Sequence, residues 1–137
     1  MLKDIPNLKV TNIGVAIVPR EGQNLDNEVD LWDAYLINLK KDPIFNVIVN
    51  VTGYGNFQNK QQKTAPFRVF IDDLAGNSFT KIEAISSDVF HLANQYWISF
   101  RLDNHMLDRK YIFVPESISE ENFTEIPLIG KKGVMIL

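Results

Sequence analysis

Residues 29–55 read VDLWDAYLINLKKDPIFNVIVNVTGYG and contain much of the chain's material for a hydrophobic core. Apolar side chains recur at alternate positions on both sides of a short polar interruption, Lys40-Lys41-Asp42-Pro43. Alternation with a period of two is typical of β-strands, and proline beside aspartate is typical of a turn. The stretch therefore predicts two long strands joined by a tight turn.

The first of these strands has apolar side chains on both of its faces. A strand of this kind is usually a central one that is covered on each side. We therefore expect a second layer, supplied in part by a loop, over one of the two faces. One face would carry Leu31, Tyr35, Ile37 and Leu39, and the other Trp32, Ala34 and Leu36.

Other parts of the chain also alternate, which predicts an all-β fold of about eight strands. Two hairpins are expected, one closed by residues 73–77 and one by the turn before Tyr111. An N-cap within Ser86-Ser87-Asp88 and the capping-box spacing of Ser117-Ile118-Ser119-Glu120 each predict a short helical turn, the first of them at residues 89–93. We expect one domain, residues 1–137, built as an antiparallel β-sandwich or a barrel, between which periodicity does not choose. The further strands are predicted at residues 11–17, 67–71, 79–85, 96–102, 111–114 and 134–137.

The composition is that of an ordinary globular chain and excludes several classes of function. The 137 residues are 45% hydrophobic and carry a formal charge of −3. The basic surplus of general nucleic-acid binders is missing, so nucleic acid is not expected as a partner. The chain has no cysteine and therefore no disulfide or thiolate nucleophile. No apolar run reaches the ~18–20 residues of a membrane span or resembles a signal peptide, so a cytoplasmic location is expected.

No pattern for catalysis or metal binding stands out. His91 and His105 lack the close spacing of a metal-binding pair. Asp72 and Asp73 stand where a strand enters a turn, a usual place for aspartate, and DDLAGNS does not match a calcium loop. No serine lies in a G-x-S-x-G motif. We therefore predict no catalytic residue, no metal site and no cofactor.

Residues 53–68 form the most distinctive candidate site, because aromatic and positively charged side chains alternate there. Gly53-Tyr54-Gly55 lacks the third glycine of a dinucleotide-binding motif, and we expect it to end its strand before a polar connection at residues 56–64. The mixture suits a protein partner or nucleic-acid bases, and equally a solvated loop whose aromatic residues fold onto the core. The candidate residues are Tyr54, Phe57, Lys60, Lys63 and Arg68.

Trp97 and Arg101 form a second candidate site, on the less apolar face of their strand. If that face is uncovered, the indole is an exposed anchor for a partner, whereas a covering layer would make Trp97 part of the core. The apolar residues on both faces of the strand at 31–39 favour the core, or a seam between two copies of the chain.

Short motifs spread along the chain carry a resemblance to a known family. They are WDAYLIN at 32–38, GYG at 53–55, KIE at 81–83, and IPL and KGV between 126 and 134. With them the sequence resembles, over nearly its whole length, a family of small uncharacterised bacterial proteins. Some members are labelled phenylalanyl-tRNA synthetase α subunit, but the resemblance implies no established activity. That label does not fit, because Arg68 has no partner glutamate for gripping ATP and the G-x-G-x-x-x-R motif is absent.

These observations predict a non-catalytic interaction or structural β-sandwich module of the bacterial cytoplasm. Its partner would be another protein or a second copy of the chain, as a homo-oligomer. The alternative is a small-ligand-binding protein, or an enzyme without a recognisable motif, whose pocket lies near residues 53–68 and gathers Tyr54, Arg68 and His91.

Overall fold

The computed structural model describes residues 9–21 and 30–137, which form two antiparallel β-sheets packed as a sandwich. The predicted all-β class is confirmed, and the sandwich is the form it takes. The described residues contain ten strands, including two short ones that alternation does not reveal. They are β1 (Ile13–Pro19), β2 (Leu31–Asn38), β3 (Ile44–Phe57), β4 (Lys60–Lys63), β5 (Phe67–Leu74), β6 (Ser78–Ser86), β7 (Ala93–Leu102), β8 (His105–Phe113), β9 (Thr124–Glu125) and β10 (Lys132–Ile136).

The two sheets differ in how their strands are connected. The first sheet has the order β6-β2-β1-β10-β9. In the second sheet the long β3 pairs with β7 along one edge, and β8 follows β7. The other edge of β3 pairs with β5 and, beyond residues 64–66, with β4. The predicted hairpin before Tyr111 is confirmed as β7–β8, with Asp103 and Asn104 at positive φ in its turn.

The hydrophobic core lies between the sheets, and a smaller cluster covers the far side of the first sheet. Trp32 and Leu36 of β2 point into the main core. Ile37 points the other way and packs in the smaller cluster with Ile126, which belongs to the loop between β9 and β10. The prediction that β2 is covered on both faces, in part by a loop, is therefore confirmed.

β3 is longer than the sequence predicts, because its glycines do not end it. Tyr54 pairs with Ala93 on one edge and with Lys63 on the other, so the ladder continues past residues 53–55. The expected break there is wrong. The expected polar connection at residues 56–64 is wrong too, because most of it forms the β3–β4 hairpin. The turn residues of this hairpin, Gln58 and Asn59, both have positive φ, as a two-residue type I′ turn requires.

β5 and β6 do not form the hairpin that the sequence predicts. β5 pairs with β3 in the second sheet, whereas β6 pairs with β2 in the first. Residues 75–77 therefore carry the chain from one sheet to the other, and residues 39–43 do the same between β2 and β3. A short turn does not reveal this in the sequence, because a hairpin and a crossing between packed sheets both reverse the chain within a few residues.

Two 3-10 turns are the helical elements of the described part of the chain. The first, Ser87–Val89, follows Ser86, whose hydroxyl accepts a backbone N–H as predicted, but it is shorter than the expected turn at residues 89–93. The predicted second turn is present at Glu120–Asn122, but the capping box is wrong, because the Ser117 hydroxyl donates to the Val114 carbonyl at 2.7 Å and the turn begins after Ser119, whose side chain makes no capping bond. Within the same residues no helix is long and apolar enough to cross a membrane.

Asn38, the last residue of β2, is a fully buried polar residue that connects the two chain crossings. Its Nδ2 donates to the carbonyl oxygens of Asp42 at 3.0 Å and Ala75 at 3.1 Å. Its Oδ1 accepts the backbone N–H of Lys40 at 2.9 Å. One amide group therefore bridges the β2–β3 and β5–β6 turns and is itself satisfied inside the protein.

The two turns are in such close contact that Gly76 is needed between them. A Cβ at this position would lie 2.0 Å from the carbonyl oxygen of Lys41, far inside van der Waals contact. Beside it, the backbone N–H of Asn77 donates to the carbonyl of Lys40 at 2.9 Å. The two crossings therefore form one unit at one end of the sandwich.

Replacement of Asn38 by alanine is expected to lower the free energy of unfolding by about 2–4 kcal/mol, because it removes three hydrogen bonds and leaves their backbone partners unsatisfied. Asn56→Ala, at an exposed position of the β3–β4 hairpin, is the matched control and should change it by less than about 0.5 kcal/mol. Urea denaturation measures both. A loss below about 1 kcal/mol for Asn38→Ala would show that other contacts hold the turns together.

Candidate functional site

The candidate site is the outward surface of the second sheet, which we call the outer face. The register places Asn50 across from Trp97 and Thr52 across from Gln95, on the side away from the core. Trp97 and Tyr54 are each 37% exposed, so the interpretation of Trp97 as core is wrong. The outer face includes Asn50, Thr52, Tyr54, Gln61, Lys63, Arg68, Phe70, Gln95, Trp97, Arg101, Met106, Asp108, Lys110 and Ile112.

An open groove of about 520 Å³ crosses the outer face. It brings together three of the residues predicted from the sequence, the aromatic Tyr54 and Trp97 and the cationic Lys63. The groove therefore offers flat apolar surfaces next to hydrogen-bonding amides and a positive charge. Its other lining residues are Asn50, Thr52, Gln61 and Gln95.

Two side chains of β8 hold the indole of Trp97 in place. Its Nε1 donates to Oδ2 of Asp108 at 2.8 Å, and Nζ of Lys110 lies 4.6 Å from the ring centroid. Lys110 does not line the groove, so it covers the side of the ring that is turned away from it. A ring fixed in this way loses little conformational entropy when a partner packs against its groove side.

Arg68 lies beside the groove and connects it to a second one. Its Nε donates to Oδ1 of Asn50 at 3.0 Å, and Asn50 lines both grooves. The second groove, of about 400 Å³, is lined by Phe67 and Phe70, which are 48% and 65% exposed. The two grooves together form a continuous aromatic and basic strip.

The remaining candidates of residues 53–68 do not join this strip. The hairpin register places Lys60 one residue beyond Gln61, and therefore on the opposite side from the groove. His91 also lies on that side, with its Nε2 3.0 Å from Oε1 of Gln62. The side chain of Phe57 lies outside the part of the chain that the structure describes.

The outer face is basic although the chain as a whole carries a charge of −3. The carboxylate of Asp108 on this face already accepts a hydrogen bond from the Trp97 indole. The guanidinium of Arg101 stacks on Phe45, 4.9 Å from the ring centroid. The excess of positive charge is therefore left for a partner. The four cations are Lys63, Arg68, Arg101 and Lys110, and the carboxylate is Asp108.

A separate cavity of about 210 Å³ lies between the two sheets, where β5 begins and β6 ends. A β-bulge supplies its most polar wall, because Ala34 pairs with Glu83 and Tyr35 with Lys81, which leaves Ile82 without a partner. Ile82 and Glu83 consequently both turn towards the interior. The bulge thus brings one carboxylate to the wall of a largely apolar cavity.

Glu83 lies in an unusual electrostatic setting. Burial raises the pKa of its carboxyl to about 7, and the nearby Tyr96 hydroxyl only partly offsets this rise. The Tyr96 hydroxyl lies beside the Glu83 carboxyl, and neither it nor Oε2 of Glu83 has any other hydrogen-bond partner among the described residues. Burial, with the Glu83 carboxylate beside it, also raises the pKa of Tyr96 well above its usual range. Glu83 is the one charged residue among those that line the cavity.

Sequence reasoning found the aromatic and basic residues of the outer face but missed its amides and the buried carboxylate. Asn50 and Gln95 were readable as the polar positions of two alternating strands, although nothing marked them as a site. Glu83 was missed because strict alternation places it with Lys81 on the exposed face. The bulge at Ile82 leaves no clear signal in the sequence.

Comparisons with known proteins leave the function to be argued from this geometry. No protein-family model, curated protein or solved structure matches the chain. In residues 9–21 and 30–137, no three His, Asp or Glu side chains gather where they could hold a metal ion. The outer face and the inter-sheet cavity are the two features that call for a function.

Trp97 is expected to contribute little to stability, in contrast to Trp32. Trp32 is 9% exposed and packs edge-to-face against Phe90 at 5.2 Å, so Trp32→Ala should cost about 3–5 kcal/mol. Trp97→Ala should cost less than about 1 kcal/mol, because its ring lies on the surface. Urea denaturation compares the two variants. A large loss for Trp97→Ala would mean that another layer covers the indole.

Glu83 is expected to make the fold less stable as pH rises. Its pKa rises from the usual 4.5 to about 7 on folding, so the folded state binds more protons and stability falls across that interval. Glu83→Gln should remove about 1–2 kcal/mol of the fall between pH ~5 and pH ~8. Thermal unfolding at both pH values measures it, with the exposed Glu125→Gln as control. Parallel pH profiles for wild type and Glu83→Gln would contradict the prediction.

Proposed function

We propose that the chain is a non-catalytic binding module that holds an acidic segment of a partner protein on its outer face. The observation that carries the proposal is Trp97, a fixed and 37% exposed indole that lines one groove together with Tyr54 and Lys63. A rigid aromatic ring on an open sheet suits a partner that packs against it. The cytoplasmic location expected from the sequence stays a prediction.

The composition of the outer face favours a protein as the partner. Tryptophan, tyrosine, phenylalanine, methionine and arginine are the residues enriched at protein interfaces. Around the grooves, Phe70 and Met106 are each 65% exposed and Ile112 is 38% exposed. These apolar side chains can be buried by a protein surface, whereas a sugar–phosphate backbone offers little to cover them.

The charge of the outer face specifies the kind of partner. Lys63 and Arg68 lie along the two connected grooves, and the groove lining contains no carboxylate. An acidic segment would gain complementary contacts there and would be steered towards the face as it approaches. Binding should therefore weaken as the salt concentration rises.

The chemistry of the main groove supports binding rather than turnover. Its seven lining residues include no histidine, carboxylate or serine. Tyr54 and Lys63 are the titratable groups in it, and neither has a neighbouring base that could activate it. The amides of Asn50 and Gln95 supply hydrogen bonds, which position a ligand without reacting with it.

Nucleic acid and a second copy of the chain are the competing occupants. Nucleic acid would use the same aromatic rings and cations, but it leaves the apolar rim uncovered. A second copy that packed its own outer face against this one would bring Lys63, Arg68 and Lys110 against like charges. Homo-oligomerisation through this face therefore requires a different, acidic surface of the second copy.

A peptide display experiment tests the proposal. A random library of twelve-residue peptides is selected on the wild-type protein and counter-selected on Trp97→Ala. The enriched peptides should be rich in Asp and Glu and should carry at least one apolar side chain. Binding of a synthetic enriched peptide should weaken about 10–100-fold in Trp97→Ala and in the double variant Lys63→Glu, Arg68→Glu.

Lys131→Glu, Lys132→Glu is the matched control, because both lysines are exposed at the other sheet and should leave the affinity unchanged. Enriched peptides that bind the Trp97→Ala variant equally well would refute the proposal. So would tighter binding of single-stranded RNA than of any peptide. Concentration-dependent light scattering that Trp97→Ala abolishes would instead identify the second copy as the occupant.

A further inference from the structure

We propose that the cavity between the sheets is a second binding site, which takes a primary ammonium group carried on a short apolar chain. The proposal rests on the cavity alone and does not depend on what binds the outer face. The pocket expected from the sequence to gather Tyr54, Arg68 and His91 is not formed, because the first two lie along the outer face and His91 on its opposite side; none of the three lines this cavity.

The shape of the cavity suits a short chain rather than a large molecule. Its volume of about 210 Å³ equals the space of about seven water molecules. Apolar side chains form most of the wall, and one of them, Phe67 at the start of β5, is 48% exposed. The apolar part of the wall comes from Val51, Ala65, Phe67, Ile85 and Val89.

The cavity presents two strong acceptors, the Asn94 amide oxygen and the Glu83 carboxylate, beside the hydroxyls of Thr52, Thr64 and Ser86, which can donate or accept. Nδ2 of Asn94 donates to the carbonyl oxygens of Val89 at 2.9 Å and Leu92 at 3.2 Å, so its remaining atom, Oδ1, is an acceptor. The Thr64 hydroxyl already accepts the backbone N–H of Gly53 at 2.7 Å. A carboxylate completes the set at Glu83. A ligand with several donors can satisfy the amide oxygen and the carboxylate together, and an ammonium group has three.

The charge of the cavity points to the same ligand. Glu83 lies in the cavity without a cationic neighbour among the lining residues. An ionised carboxylate in an apolar setting is costly unless an opposite charge joins it, and its raised pKa expresses that cost. A bound ammonium group would supply the missing charge. A carboxylate or phosphate ligand would be repelled.

Titration with n-butylammonium, followed by 15N–1H correlation spectra, tests the proposal on the whole chain. The shifts should be confined to the residues around the cavity, with a Kd of about 1 mM for so small a ligand. n-Butanol has the same apolar chain without the charge, and should bind at least about tenfold more weakly. Glu83→Gln should reduce the affinity for n-butylammonium to that for n-butanol.

The pH dependence of the affinity for n-butylammonium distinguishes binding to the Glu83 carboxylate from non-specific apolar binding, which would not change with pH. With a Glu83 pKa of about 7, the ionised fraction rises about tenfold from pH ~6 to pH ~8, while the amine stays protonated. Tyr96 is the other titratable group beside the carboxylate, and it stays neutral throughout. The affinity should therefore rise about tenfold over that range in wild type and stay constant in Glu83→Gln.

Ala65→Leu supplies a second variant that fills the cavity but keeps the carboxylate, and it should abolish binding. Each variant is used only after its own thermal unfolding has shown that it is folded. Equal affinity for n-butanol and n-butylammonium, unchanged binding in Glu83→Gln, or no shifts at about 100-fold the expected Kd would overturn the proposal. None of these results depends on whether peptides bind the outer face.

Discussion

The buried amide of Asn38 fixes how the two sheets are joined. It bonds to both turns through which the chain crosses between the sheets, and Gly76 allows those turns to touch. β3 leaves one turn and β6 leaves the other, so the position of each strand along the sandwich is set at this point. The positions of Tyr54 on β3 and of Glu83 on β6 therefore depend on this joined pair of turns.

The middle of β3 takes part in both candidate sites. Thr52 lines the groove of the outer face and also the cavity between the sheets, while its neighbours Val51 and Gly53 line the cavity alone. Because successive side chains of a strand point to opposite sides, this short part of β3 contributes to a site on each side of the sheet. A ligand in either site would therefore contact the same segment of β3 that lines the other site.

The sequence predicted well which side of each strand is buried, but it predicted poorly which strands pair with one another. Apolar alternation predicted the all-β fold and the double-sided cover of β2, because burial acts on each strand separately. It did not predict that β5 and β6 belong to different sheets, since strand pairing depends on contacts distant in sequence. It also ended β3 at Gly53 and Gly55, although glycines are tolerated in a strand that is paired on both edges.

The residues of the candidate sites also differ in how far the sequence could predict them. Tyr54, Lys63 and Trp97 could be picked out from the sequence, because aromatic residues close to positive charges are a recognisable mixture on a polar stretch or strand face. Their meeting in one groove depends on the pairing of three strands, which no local pattern encodes. Glu83 could not be found at all, because one extra residue in β6 turns it from the surface to the interior.

The interruption between β4 and β5 leaves no backbone group of Gly53 unbonded. Thr64 accepts the N–H of Gly53 with its hydroxyl and donates its own N–H to the Gly53 carbonyl at 2.7 Å. One residue thus completes the ladder that the missing strand residues would otherwise have formed. The sheet edge is thus interrupted without leaving an unpaired strand, and the same residues, Thr64 and Ala65, are free to line the inter-sheet cavity instead of continuing a ladder.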